Sequence, residues 1–165
     1  MLISYKKNII MNYSEITYPD VNNGVGCRVT LWVSGCNIHC PYCQNPQTWD
    51  FNAGNEFTED VKLKLFNILS KPYIQGITLS GGNPLDNYGD ILELLQEIKS
   101  MFGNKKDVWL YSGYTLEEII SKDMVEMLEY IDVLVDGPYI HELRDISLPF
   151  RGSSNQRILY KGEDF

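Results

Sequence analysis

Three thiols lie within eight residues, in the run Cys36-Asn37-Ile38-His39-Cys40-Pro41-Tyr42-Cys43. Thiolates so close in sequence can meet at one metal centre. A four-iron cluster usually takes four cysteines, and here there are three. The fourth, Cys27, sits at the far end of the preceding apolar run. A strand of that length spans roughly 23 Å, so Cys27 is expected outside the site, as a buried thiol. Three thiolates on four irons leave one iron open, the counterpart of the vacant position that catalytic metal sites keep. An open iron can chelate a small molecule and pass it an electron. Two other chemistries stay open on spacing. One is a zinc knuckle made of the three thiols with His39 or a distant ligand; the other is a redox dithiol of Cys40 and Cys43. His39 directly precedes Cys40, so both on one ion would strain the loop, and the second ligand pair that zinc sites favour is missing. The dithiol reading leaves Cys36 without a purpose. The other histidine, His141, reads as a surface residue.

Two further features stand beside the thiols. Tyr42 is an aromatic next to Cys43, suited to pack on a flat heterocycle or simply to plug the loop into the core. Ser80-Gly81-Gly82-Asn83-Pro84 is a turn whose paired glycines let backbone approach a ligand closely; alone it is an ordinary turn.

The elements that must position these residues alternate between strand and helix. Residues 28–34 (RVTLWVS), 75–80 (QGITLS), 107–112 (DVWLYS) and 131–136 (IDVLVD) are β-branched and aromatic runs, strands by composition, and 155–160 reads as a last one. Apolar residues at Val61, Leu65 and Ile68 or Leu69 have helical spacing, with Thr58 as cap and Glu59 and Asp60 in the first turn. A second helix runs over 90–102 and is stopped by Gly103. A third opens at the capping box Thr115 to Glu118. Such alternation predicts a parallel sheet with covering helices. The cysteine run, the Gly81-Gly82 turn, Ser112-Gly113-Tyr114 and Asp136-Gly137-Pro138 each follow a strand. Carboxyl ends of parallel strands are where α/β folds place their sites.

The bulk properties agree with a single globular domain. The chain has 165 residues, 44% hydrophobic and 22% charged, with net charge −8. A domain of this length buries roughly 70% of the surface of its unfolded chain and needs no disulfides. No clustered basic run is present to meet phosphates, which argues against a nucleic-acid partner. No apolar run approaches the ~20 residues of a membrane span, and the apolar stretch after Lys6 and Lys7 is too short for a signal peptide. The expected location is the cytoplasm, where thiols stay reduced and serve as ligands or catalysts. Residues 1–10 read as an N-terminal extension and 11–165 as the domain.

With these residues assembled, Cys-x-x-x-Cys-x-aromatic-Cys followed by Gly-Gly-x-Pro resembles the radical S-adenosylmethionine (SAM) superfamily. Within it, the chain is similar to the family that activates anaerobic ribonucleoside-triphosphate reductases. The segments that carry this are 23–28 (NGVGCR), 34–43 (SGCNIHCPYC), 44–49 (QNPQTW), 76–85 (GITLSGGNPL), 111–114 (YSGY), 132–137 (DVLVDG) and 151–157 (RGSSNQR). Asn83 stands where that family often has aspartate, and Val25 where it often has proline.

The resemblance implies an α/β fold, a partial, open β/α barrel. It implies a [4Fe–4S] cluster held by Cys36, Cys40 and Cys43, with SAM on the fourth iron. Tyr42, Cys43 and Gln44 would line the adenosine side, Gly81 and Gly82 would meet the methionine end through backbone atoms, and Asn83 would also bind the cofactor. Reductive cleavage of SAM would generate a glycyl radical on the large subunit of the reductase, with a reduced flavodoxin-like donor supplying the electron. No side chain is nominated as a general base, since the difficult chemistry belongs to the cofactors. Asp136 is open to holding part of SAM or a cation, or to capping its turn; Arg28 and Arg151, to touching the partner or to surface ion pairs. The rival readings are an activator of another glycyl-radical enzyme such as pyruvate formate-lyase, a radical SAM enzyme with a small substrate, and a zinc-stabilised binding module without catalysis.

Overall fold

The structure, a computed structural model, describes residues 9–165. Most of the expected N-terminal extension therefore lies outside the described residues. Ile9 already packs against the core, and the Ile10 amide donates to Asp90.

The expected strands form, with bounds moved by no more than two residues, as β2 (Arg28–Val33), β4 (Gly76–Gly81), β5 (Asp107–Tyr111) and β6 (Val133–Asp136). They pair in parallel, in the order β2-β4-β5-β6. Three further strands complete a single mixed sheet of seven: β1 (Asn12–Asp20) and the short β3 (Asn55–Glu56) beyond β2, and β7 (Arg157–Tyr160) beyond β6. All three run antiparallel to their neighbours. Sequence reading finds β7 but misses β1 and β3.

Helices α1 (Glu59–Leu69), α2 (Tyr88–Phe102) and α3 (Leu116–Ser121) connect the parallel strands. The Thr58 hydroxyl accepts from the Val61 amide at the start of α1, and Thr115 and Glu118 form the expected capping box on α3. A short 3-10 turn over Pro84–Asn87 leads into α2, which begins two residues earlier than its apolar period indicates.

Side chains alternate across a strand, and here the alternation separates two environments. Val29, Leu31, Val33, Ile77, Leu79, Val108, Leu110 and Leu134 belong to the main apolar core with the helices. Their neighbours, Arg28, Thr30, Trp32, Thr78, Ser80, Trp109 and Tyr111, occupy the opposite face. That face is largely polar and aromatic, with Trp109 packed beside Val133 and Val135 in a second, smaller cluster. Among the described residues, no helix is long and apolar enough to cross a membrane.

Candidate cluster and cofactor site

Because β2, β4, β5 and β6 are parallel, their carboxyl ends share one rim, and all four expected punctuations fall on it. A cavity of about 430 Å³ opens there, within the usual range for small-molecule sites. Cys36, Cys40 and Cys43 all line it, and so do Gln44, Gly81, Gly82 and Asn83.

The chain leaves β2 through a close backbone mesh. The amides of Gly35 and Cys36 donate to the carbonyls of Thr48 and Trp49 at 2.7 and 3.1 Å. The glycine turn is tied to the same exit: the Gly82 amide donates to Val33 O and the Asn83 amide to Gly35 O, both at 2.9 Å. Glycine is required here by space as well as by conformation. A Cβ on Gly82 would stand 2.4 Å from the Gly35 carbonyl oxygen, and Gly81 has φ +104° with a would-be Cβ 2.5 Å from Val33 O. Gly82→Ala is therefore expected to push the β2 exit outward. Overpacking of this kind costs about 1–3 kcal/mol, a fall in melting temperature of about 2–12 °C for a chain of this size. Reconstituted iron per chain should drop with it; an unchanged melt with full iron content would show that the turn has room to spare.

Inside the cysteine loop, His39 and Tyr42 adopt positive φ of 52° and 60°, uncommon for residues other than glycine. Each is braced by a ring stack, His39 on Trp49 and Tyr42 on His141, both with centroids 4.4 Å apart. Tyr42 is 75% exposed and is not among the cavity-lining side chains. Its ring stands on the rim, supported by His141. The Asn45 amide points at Cys43 Sγ, 3.4 Å away.

Cys36 is buried and the other two thiols of the loop are half-buried. Burial pushes the Cys40 thiol up, and the neighbouring Cys43 and Cys36 push it further. Three thiolates gathered in one pocket repel each other, and bound cations reverse that balance. Among the described residues, no group of three or more His, Cys, Asp or Glu side chains is placed to hold a single metal ion. Asn83 is 1% exposed. Its Oδ1 accepts from the Gly113 amide at 3.3 Å, while its Nδ2 is buried without a partner. The donor set, the glycine cradle and this free amide suit a cluster with a carboxylate-bearing ligand beside it.

Asp86 locks the loop from outside. One oxygen accepts from the Asn37 amide at 2.8 Å and the other from the Tyr114 hydroxyl at 2.5 Å. Burial, then this carboxylate, raises the Tyr114 phenol above its ordinary range. Asp86 thus couples the first turn after Cys36 to the loop after β5, a link not visible from sequence spacing.

Other expectations are corrected. Cys27 lies outside the site as expected, but it is half-buried rather than buried. Asp136 is buried, yet it does not line the cavity: it accepts from the Leu116 amide at 2.7 Å and pairs with Arg157 at 2.5 Å. Arg28 is fully buried at the opposite, amino end of the sheet, paired with Asp107 at 2.6 Å. It is neither a surface ion pair nor a partner contact. The segment after Leu148 supplies a cavity wall through Phe150, Arg151 and Gln156.

Comparison with known proteins agrees with this architecture. Residues 22–159 match the family described as 4Fe-4S single cluster domain, so the chain is an iron–sulfur protein of that class. It is 45% identical over 152 residues to the anaerobic ribonucleoside-triphosphate reductase-activating protein of Escherichia coli (strain K12), covering 90% of this chain and 97% of that one. The protein of the same name from Enterobacteria phage T4 is 45% identical over 150 residues, covering 90% and 93%. That of Haemophilus influenzae is 44% identical over 152 residues, covering 90% and 97%. The chain belongs to the family of anaerobic ribonucleoside-triphosphate reductase-activating proteins.

Proposed function

We propose that this chain holds a [4Fe–4S] cluster on Cys36, Cys40 and Cys43, binds SAM at the open iron, and generates a glycyl radical on the large subunit of an anaerobic ribonucleoside-triphosphate reductase. The observation that carries the reading is the meeting, in one cavity, of all three thiols with the unpartnered Asn83 amide. When bound, the cluster and SAM supply a one-electron cleavage that yields a hydrogen-abstracting radical. The protein contributes ligation, orientation and exclusion of water.

Cys36, Cys40 and Cys43 line one cavity without converging on a single ion; they would hold a cluster, one thiolate to an iron, more readily than one tetrahedral zinc. Asn83 Nδ2 donates to the carboxylate of SAM, a charge-assisted bond. Gly81 and Gly82 admit the methionine end against the backbone. Cys43 and Gln44 line the adenosine side, with Tyr42 on the rim above it. Residues 11–165 form one radical SAM domain, whose sheet acts as an open barrel around its polar, aromatic face. A reduced flavodoxin-like protein supplies the electron, in the cytoplasm.

The test is anaerobic reconstitution with iron and sulfide, then electron paramagnetic resonance (EPR) with and without SAM. The expected result is a reduced-cluster signal that changes on adding SAM, and a glycyl radical signal once the large subunit is present. Stoichiometric zinc without iron or sulfide would overturn the cluster. A SAM response with no glycyl signal would overturn the partner.

A further inference from the structure

The cavity holds more buried donor capacity than cluster and SAM use in the reading above. Among the described residues, three side chains that line it carry an N–H group buried without a partner: Asn83 Nδ2, Trp49 Nε1 and Arg151 Nε. Buried donors left unmade are costly, so the cavity is prepared for an occupant rich in acceptors. Asn83 and Trp49 both stand at the exit of β2, joined by backbone bonds to Gly35 and Cys36.

Arg151 comes from the other side. Just before it, Phe150 packs edge-on against Trp109 with centroids 5.3 Å apart, and its carbonyl accepts from the Tyr111 hydroxyl at 2.6 Å. Arg151 is thereby seated over the polar, aromatic face of the sheet. Its guanidinium is held in place, since Nη1 donates to Gln156 O at 2.9 Å. The surrounding turn is fixed as well. Gln156 Oε1 accepts from the Gly152 and Ser153 amides at 2.9 and 3.2 Å, and its Nε2 donates to Gly137 O at 3.1 Å. Among the described residues, no carboxylate forms a salt bridge with Arg151. Asp145, on the same cavity wall, acts on Arg151 only from beyond salt-bridge distance. A guanidinium rigidly placed, in contact with no carboxylate and with a buried donor in a cavity wall, is a binding group whose ligand comes from outside the chain.

We propose that Arg151 Nε–H receives a main-chain carbonyl of the reductase segment that carries the target glycine, holding that segment along the Trp32 and Tyr111 wall. The inference rests on the function proposed above. A glycine has no side chain to grip, so its recognition falls on the backbone around it. A carbonyl buried with that glycine needs a donor, and a charged donor makes the stronger bond. The carboxylate of SAM is the rival acceptor.

Reconstituted full-length Arg151→Ala and Arg151→Lys separate the two. Both should keep the iron content and the SAM-induced EPR change of the parent. The concentration of large subunit giving half-maximal glycyl radical should rise about 10- to 100-fold for alanine. It should rise less for lysine, which keeps the charge but loses the planar fork. The lysine variant also decides the matter if the alanine variant melts early. Loss of the SAM-induced change in either variant would assign Arg151 to SAM and overturn the proposal, as would unchanged half-saturation in both. A parent protein with no SAM response would instead overturn the underlying function, and this inference with it.

Discussion

Cys36→Ala, Cys40→Ala and Cys43→Ala are each expected to reduce cluster iron and sulfide to background and to abolish glycyl radical formation, while Cys27→Ala leaves both intact. A cube held by three thiolates has no ligand in reserve, and the surrounding loop offers no substitute. His39 is engaged in its stack with Trp49, and the Asn45 amide is a donor, not a ligand. Cys27 precedes β2, whose six residues place it about 20 Å from the loop at ~3.3 Å per residue. The four variants also separate ligation from folding. Cys27 is packed against the main core, so its truncation should show in the melt and not in the metal. Iron and sulfide analysis with low-temperature EPR reads the outcome. Full iron in any of the first three variants would remove that thiol from the site, and loss of iron in the fourth would bring Cys27 into it.

The cysteine loop and the glycine turn were legible in the sequence because both are local. Three thiols within one turn-rich run, and glycines directly after a β-branched run, need no knowledge of distant residues. The parallel strands were legible for a related reason: flanked by helical periods, they could cross over in only one way. What escaped was set by contacts between segments far apart in sequence. β1 reads NYSEITYPD, mostly half-buried or exposed, so no apolar alternation marks it. The stack of Tyr42 on His141 joins residues 99 positions apart, which no local pattern announces. Arg151 and Gln156 build a wall of the cavity through bonds between their own turn and the end of β6, and such bonds leave no periodic trace. Arg28 looked like a surface charge beside a strand, and only the fold reveals the carboxylate that makes its burial tolerable.

That carboxylate gives the second large effect. Arg28→Met is expected to lower the melting temperature by about 6–12 °C while iron content and the SAM response stay at parental levels. Arg28 is fully buried and every arm of its guanidinium is engaged. Nη1 pairs with Asp107 at 2.6 Å and donates to Val25 O at 2.9 Å; Nη2 donates to Ile77 O and Nε to Thr78 Oγ1, both at 2.8 Å. The guanidinium carbon also lies 5.6 Å from the Trp109 ring centroid. Removing one partner of a buried pair costs about 3–5 kcal/mol, because the other is left unpaired. The Asp107 side chain is 29% exposed, so water recovers part of its solvation and the lower end, about 3 kcal/mol, applies. At roughly 2–4 °C per kcal/mol for a chain of this size, that gives the stated fall. Arg28→Met combined with Asp107→Leu should recover much of it, since replacing both partners by apolar groups removes the stranded charge. A melt unchanged in the single variant would mean the network is not formed in solution. Loss of iron in that variant would mean that the amino and carboxyl ends of the sheet are not independent. The geometry favours independence: Arg28, Thr78 and Asp107 tie β2, β4 and β5 together where these strands begin, and the thiols, the glycine turn and Asn83 sit where they end. In such folds the carboxyl rim carries the chemistry and the opposite end the stability, so a substitution that weakens one end should leave the other readable.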